Sequence, residues 1–142
     1  MGLILLLLVL LAVGVELGSG SSLQSIPVII PNSFSVQINE QSEGIKRHLH
    51  SAKNQDEWQF FYFCGNAKYK GKCGFWVDAK NKKITGANNN VKRQDNEVTI
   101  SKTILGDAGS YTKIPENSDV NQAYLERLDV YVQEGPKPPP GL

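Results

Sequence analysis

His48 and His50 in the stretch KRHLHS stand two residues apart, so on a strand both imidazoles project from one face. Such a pair can supply two ligands to a metal, but nothing nearby clearly offers a third and fourth. Beside Lys46 and Arg47 the pair reads as part of an exposed polar face. Asp56 and Glu57 are adjacent, and neighbours on a strand point to opposite faces, which argues against a paired-carboxylate acid–base site. The signatures Gly-x-Ser-x-Gly, His-Glu-x-x-His and Gly-x-Gly-x-x-Gly are absent. The expectation is a protein that is not an enzyme, with no catalytic residues, no cofactor and no metal site.

Basic residues cluster at Lys68, Lys70 and Lys72, at Lys80, Lys82 and Lys83, and at Lys92 with Arg93. A heparin-like or acidic surface would suit them. Solvated hairpin tips have the same composition, and that plainer reading is preferred. The whole chain carries a formal net charge of only +1, which gives no electrostatic argument for a nucleic-acid ligand.

The chain starts MGLILLLLVLLAVGVELGSGSS, in which an uncharged run of 13 residues spans Leu3 to Val15. A bilayer-spanning helix needs about 20, so residues 1–20 read as a secretory signal peptide, with small Gly18 and Gly20 before the cut. A secreted, extracellular protein of 122 residues with net charge +2 and no membrane anchor is expected. No Asn lies in a glycosylation sequon. The two cysteines, Cys64 and Cys73, would then face an oxidising compartment, where a pair is expected to be bridged.

Residues 21–32, with Pro27 and Pro31, read as an extended lead-in, and residues 134–142 as a proline-rich tail. Between them, FSVQI, WQFFYFC, GFWV, VTI and LDVYV alternate or cluster apolar residues between polar turns. Short segments of this kind imply an all-β sandwich or barrel over residues 33–133.

Four landmarks then fall in register. Asp107, Gly109 and Tyr111 form Asp-x-Gly-x-Tyr; Val98 and Ile100 precede them; Cys64 lies 12 residues before Trp76; and LDVYV closes the domain. The pattern resembles an immunoglobulin-like domain of the intermediate type, which implies a Greek-key sandwich of two antiparallel sheets. On that resemblance WQFFYFC is strand B, Trp76 sits on strand C, Tyr111 opens strand F, and LDVYV is strand G.

The resemblance implies a tyrosine corner, with the Tyr111 hydroxyl turned back to backbone near Asp107, and Gly109 permitting a tight bend. Trp76 should fill the core. Lys113 stands where strand F normally carries its cysteine, so the usual inter-sheet bridge is impossible and Cys64 is expected to pair with Cys73. A charged Lys113 should make strand F fray or turn outward soon after Tyr111, near Pro115. Arg93 is a candidate ion-pair partner of Asp107. Alternation places Trp58, Phe60, Tyr62 and Cys64 inward, leaving Phe61 and Phe63 outward on one sheet. Phe75, Val77 and Tyr131 face outward on the other. These five are the candidate partner surface, unless the segment around Leu49 or IPVIIP covers Phe61 and Phe63. The resemblance implies a module that binds an extracellular protein or a second copy of itself. A structural matrix component is the alternative.

Overall fold

Which residues of a strand face the core is fixed by its neighbours as much as by its own pattern. In the computed structural model, which describes residues 24–136, 140 and 141, nine strands form two sheets. The expected signal peptide, and residues 137–139 and 142 of the tail, lie outside the described residues.

The strands are β1 (Gln24–Ile29), β2 (Phe34–Gln37), β3 (Gly44–Leu49), β4 (Gln59–Tyr62), β5 (Trp76–Val77), β6 (Val91–Gln94), β7 (Glu97–Ile100), β8 (Gly109–Ile114) and β9 (Leu128–Gln133). The larger sheet has the order β1-β9-β8-β3-β4-β5 and the smaller one β2-β7-β6. Among these strands β1 and β9 pair in parallel, with Gln24 opposite Leu128 and Ile29 opposite Gln133, and the other strand pairs are antiparallel. A short helix, α1 (Val120–Leu125), interrupts the β8–β9 connection, and the Asp119 carboxylate caps it by accepting from Asn121 N–H and Gln122 N–H.

The core lies between the sheets. Phe34, Val36, Val98 and Ile100 come from the small sheet and meet Ile45, Phe61, Trp76, Tyr111, Leu128 and Val130 from the large one. Phe34 and Trp76 both pack edge-on to Tyr111, with ring centroids 5.1 and 6.2 Å away. Alternation explains β2 directly: Phe34 and Val36 are buried, while Ser35 and Gln37 are not.

Several sequence expectations change here. The segment read as strand B is β4, which shares its sheet with β5, β8 and β9. Its parity is also reversed. Phe61 pairs across with Trp76 and Ile45 and is a core residue, whereas Phe60 and Tyr62 are half-buried on the outer side. The expectation had anchored the strand on an inward Cys64. Cys64 is in fact exposed, past the end of β4, and its bridge to Cys73 staples a loop outside the core. Trp58, also expected inward, is half-buried beside His48 on the outer face.

Asp107 pairs with Arg47 and not with Arg93. Arg93 instead donates to the Ser42 and Asn39 carbonyls and lies 4.9 Å over the Phe63 ring. Nor does β8 fray after Tyr111. It keeps its register to Ile114, because Lys113 reaches Glu126 at 2.6 Å and its charge is met there. Gly109 serves close approach more than bending: a Cβ there would lie 2.5 Å from the His48 carbonyl oxygen and 2.8 Å from Leu49 Cα.

Candidate functional site

Two polar constellations stand on opposite faces of the large sheet. The inner one is centred on Arg47, which is 2% exposed. One guanidinium nitrogen donates to Asp107 Oδ1 at 2.9 Å and to the Tyr111 hydroxyl at 3.0 Å, while Nε donates to Gln59 Oε1 at 2.8 Å. The guanidinium also lies 3.9 Å from the Trp76 ring centroid. The other Asp107 oxygen accepts from Asn88 Nδ2 and from the Ile104 N–H, both at 2.9 Å. Tyr111 O–H donates to the Asp107 carbonyl, and Trp76 Nε1–H to the Asn88 carbonyl. Burial pushes the Tyr111 phenol up to about 12. Every charge in this network has a partner, and it ties strands β3, β4, β5 and β8 of the larger sheet to the loops at Asn88 and Ile104–Asp107.

The outer constellation is the half-exposed face of β3, β4, β8 and β9. Pairing of β3 with β8 brings Lys46 opposite Thr112 and His48 opposite Ser110. His50 follows β3 and approaches Asp129 of β9, with Nε2 2.7 Å from Oδ1. Ser110 Oγ donates to the same oxygen at 3.3 Å. Tyr131, 49% exposed, leans on the His50 ring at 5.0 Å, and its phenol is raised by its hydrogen bond to Asp129. Beside them the Trp58 ring meets His48 edge-on at 5.5 Å, with Lys46 Nζ at 4.7 Å and the Arg127 guanidinium at 5.1 Å. Glu116 joins those two cations, 2.6 Å from Lys46 and 3.4 Å from Arg127.

Further along the same face, Phe60 stacks on Tyr62 and Tyr62 on Tyr69, the latter pair at 4.1 Å. Tyr69 donates to Glu43 Oε2 at 2.6 Å. Burial raises the phenols of both Tyr62 and Tyr69. The Cys64–Cys73 bridge and a short 3-10 turn at Ala67–Tyr69 hold that stack in place.

Asp129 stands between Ser110 and His50, so the trio lacks the serine–imidazole contact on which nucleophilic activation depends. His48 uses Nε2 on the Asn54 carbonyl at 3.0 Å. Among the described residues no three His, Cys, Asp or Glu side chains converge as a metal site.

Of the five expected surface residues, only Tyr131 is an exposed part of this face. Phe61 and Val77 are buried at 4% and 0%, which removes both from any partner surface. Val77 is closed in by pairing with Phe60 on one side and a bridge to Lys83 on the other. Phe63 packs against the core under Arg93, and Phe75 is half-buried with Lys83 Nζ 5.3 Å above its ring. Sequence reasoning missed Trp58 because it assigned that residue to the core. It found both histidines on one face, but nothing in the local pattern brought them to Asp129, which is 79 positions from His50. No protein-family model matches the chain, and no curated protein is similar to it in sequence.

Proposed function

We propose that the chain is a secreted immunoglobulin-like recognition module that engages a protein, in the first instance a second copy of itself, through the outer face of its larger sheet. The observation that carries this reading is the grouping of Trp58, His48, His50 and Tyr131 on one strand-built surface. Aromatic residues flanked by arginine and histidine suit protein contacts, because they bury a large area at small entropic cost. The immunoglobulin-like assignment is supported by the tyrosine corner at Tyr111 and by nine strands in two sheets. Strands β4 and β5 extend the larger sheet beyond β3, an arrangement nearer the variable type than the intermediate type. An extracellular location is supported by the disulfide. Among the described residues no helix is long and apolar enough to cross a membrane.

Light scattering over a concentration series tests the reading. A reversible dimer that Tyr131→Lys dissociates, with the circular dichroism spectrum unchanged, supports it. A protein that stays monomeric throughout, or a dimer indifferent to that substitution, overturns self-association through this face.

A further inference from the structure

Positive charge is not spread evenly along this chain. Residues 68–83 hold six lysines and one aspartate, a local net charge of +5. The remaining nine basic residues face thirteen acidic ones, so the rest of the chain sums to −4. Segregation of this kind points to a polyanionic partner.

The fold concentrates the lysines further. Strand β5 is the last strand of the larger sheet. The Tyr62–Cys73 bridge brings the disulfide loop to this edge, and the Val77–Lys83 bridge lays the return segment along it. Lys68, Lys70 and Lys72 therefore continue into Lys80, Lys82 and Lys83 along one margin of the sheet. Lys72 Nζ lies 5.6 Å from the Tyr69 ring and 6.0 Å from Tyr62, and Lys83 lies over Phe75, so ring faces hold two of these ammonium groups at the surface.

Their charge is also left available. Lys68 has a loose partner, Glu43, at 3.7 Å. Among the described residues Lys70, Lys72, Lys80, Lys82 and Lys83 make no ion pair, in contrast to Lys46, Lys113 and Arg47. The local acids are engaged. Asp78 Oδ1 accepts from the backbone N–H groups of Lys80 and Lys82 at 2.8 and 3.0 Å, and Glu43 accepts from Tyr69.

The kind of polyanion follows from what accompanies the lysines. Exposed large apolar residues occur at Ile29, Ile104, Leu105, Val120, Tyr124 and Tyr131, all away from this edge, which disfavours insertion into an anionic membrane. Tyr69 is buried, Phe75 is capped by Lys83 and Tyr62 is stacked between Phe60 and Tyr69, so among the described residues no fully exposed ring at this edge offers a platform for nucleobases. The disulfide belongs to oxidising compartments, where sulfated polysaccharides are the extended polyanions at hand. We propose that the β5 edge is a binding strip for a sulfated polysaccharide of the heparin class, contacted by Lys70, Lys72, Lys82 and Lys83 with Lys68 and Lys80 at its margins.

The test is titration of the protein with a heparin dodecasaccharide at several salt concentrations. Binding at physiological salt that weakens as salt rises is expected. The triple variant Lys70→Gln, Lys72→Gln, Lys83→Gln should weaken it about tenfold or more, as loss of three ionic contacts requires. Lys53→Gln, Lys92→Gln, Lys102→Gln, which removes the same charge elsewhere, should change it by less than about threefold. Should the first triple variant unfold, its three single substitutions are measured separately, each expected to weaken binding about two- to threefold. Absence of binding by the unaltered protein, equal loss in both triple variants, or no loss in the first overturns the proposal. So does equal affinity for desulfated heparin, single-stranded DNA or phosphatidylserine vesicles. Tyr131→Lys, which tests the protein-binding face, should leave heparin affinity unchanged, so the two readings fail separately.

Discussion

The two faces of the larger sheet use the same pairing of cation and aromatic ring to opposite ends. Inside, the Arg47 guanidinium lies 3.9 Å from Trp76 and is closed off from water by Asp107, Tyr111 and Gln59. Outside, Lys46 lies 4.7 Å from a half-buried Trp58 and shares Glu116 with Arg127. In the interior a charge that loses its partner has no water to turn to, so the network specifies one arrangement of the strands and loops that meet at Arg47. At the surface water can replace any partner, so the same groups are free to exchange one another for a ligand. The contrast separates what holds the fold from what is available to bind.

The largest expected effect breaks the inner network. Arg47→Ala strands Asp107 in the core and should cost about 3–5 kcal/mol in urea denaturation. Lys46→Ala on the outer face should cost less than about 1 kcal/mol in the same assay. Equal losses would remove the distinction between the faces.

The covalent staple comes next. Replacing Cys64 and Cys73 together by alanine opens a loop of sequence separation 9, which the chain-entropy relation values at about 2.5–3 kcal/mol. Because the bridge lies outside the core, the variant should keep the native near-ultraviolet spectrum of Trp76 while losing thermal stability. A variant with a disordered core would mean that the loop and the interior are coupled.

The smallest effect is seen in alkali. The Tyr111 pKa is raised to about 12 by burial, so its contribution is complete below the ordinary phenol value of 10.0 and is lost as pH rises through about 12. The linked loss is at most about 2–3 kcal/mol. Spectrophotometric titration should find Tyr131, on the exposed face, ionising before Tyr111, and Tyr111 ionising together with unfolding.

Much of the architecture is legible in the sequence where a strand has one wet face. FSVQ and EVTI alternate cleanly, and Phe34, Val36, Val98 and Ile100 are core residues. Tyr111 is legible too, because its hydroxyl turns back to the backbone carbonyl four residues upstream, a fixed local spacing. The run WQFFYF is opaque for a physical reason: it is apolar at almost every position, so parity cannot be read from it. Cross-strand partners choose Phe61 for the core, and a partner's register is invisible in one strand. Strand β3 hides differently. GIKRHL has only two apolar side chains, and its most buried long one is an arginine, so alternation reads it as polar surface. With β3 unrecognised, Arg47 went unconsidered as the partner of Asp107, and the outer face stayed dispersed in sequence. The lysine clusters were visible, but their convergence on a single edge depends on two bridges that no local pattern encodes.

The parallel pairing of β1 with β9 also decides how the domain carries load. The chain enters β1 at Gln24 and leaves β9 at Gln133, at opposite ends of a ladder of six paired positions. Tension applied between these two residues pulls the strands lengthwise past each other, so all the rungs resist together instead of opening one at a time. Strands β3 and β4 are antiparallel, and pulling on Gly44 and Tyr62 would peel them apart from one end. A tether attached before β1 and another after β9 would therefore load this seam in shear along its whole length.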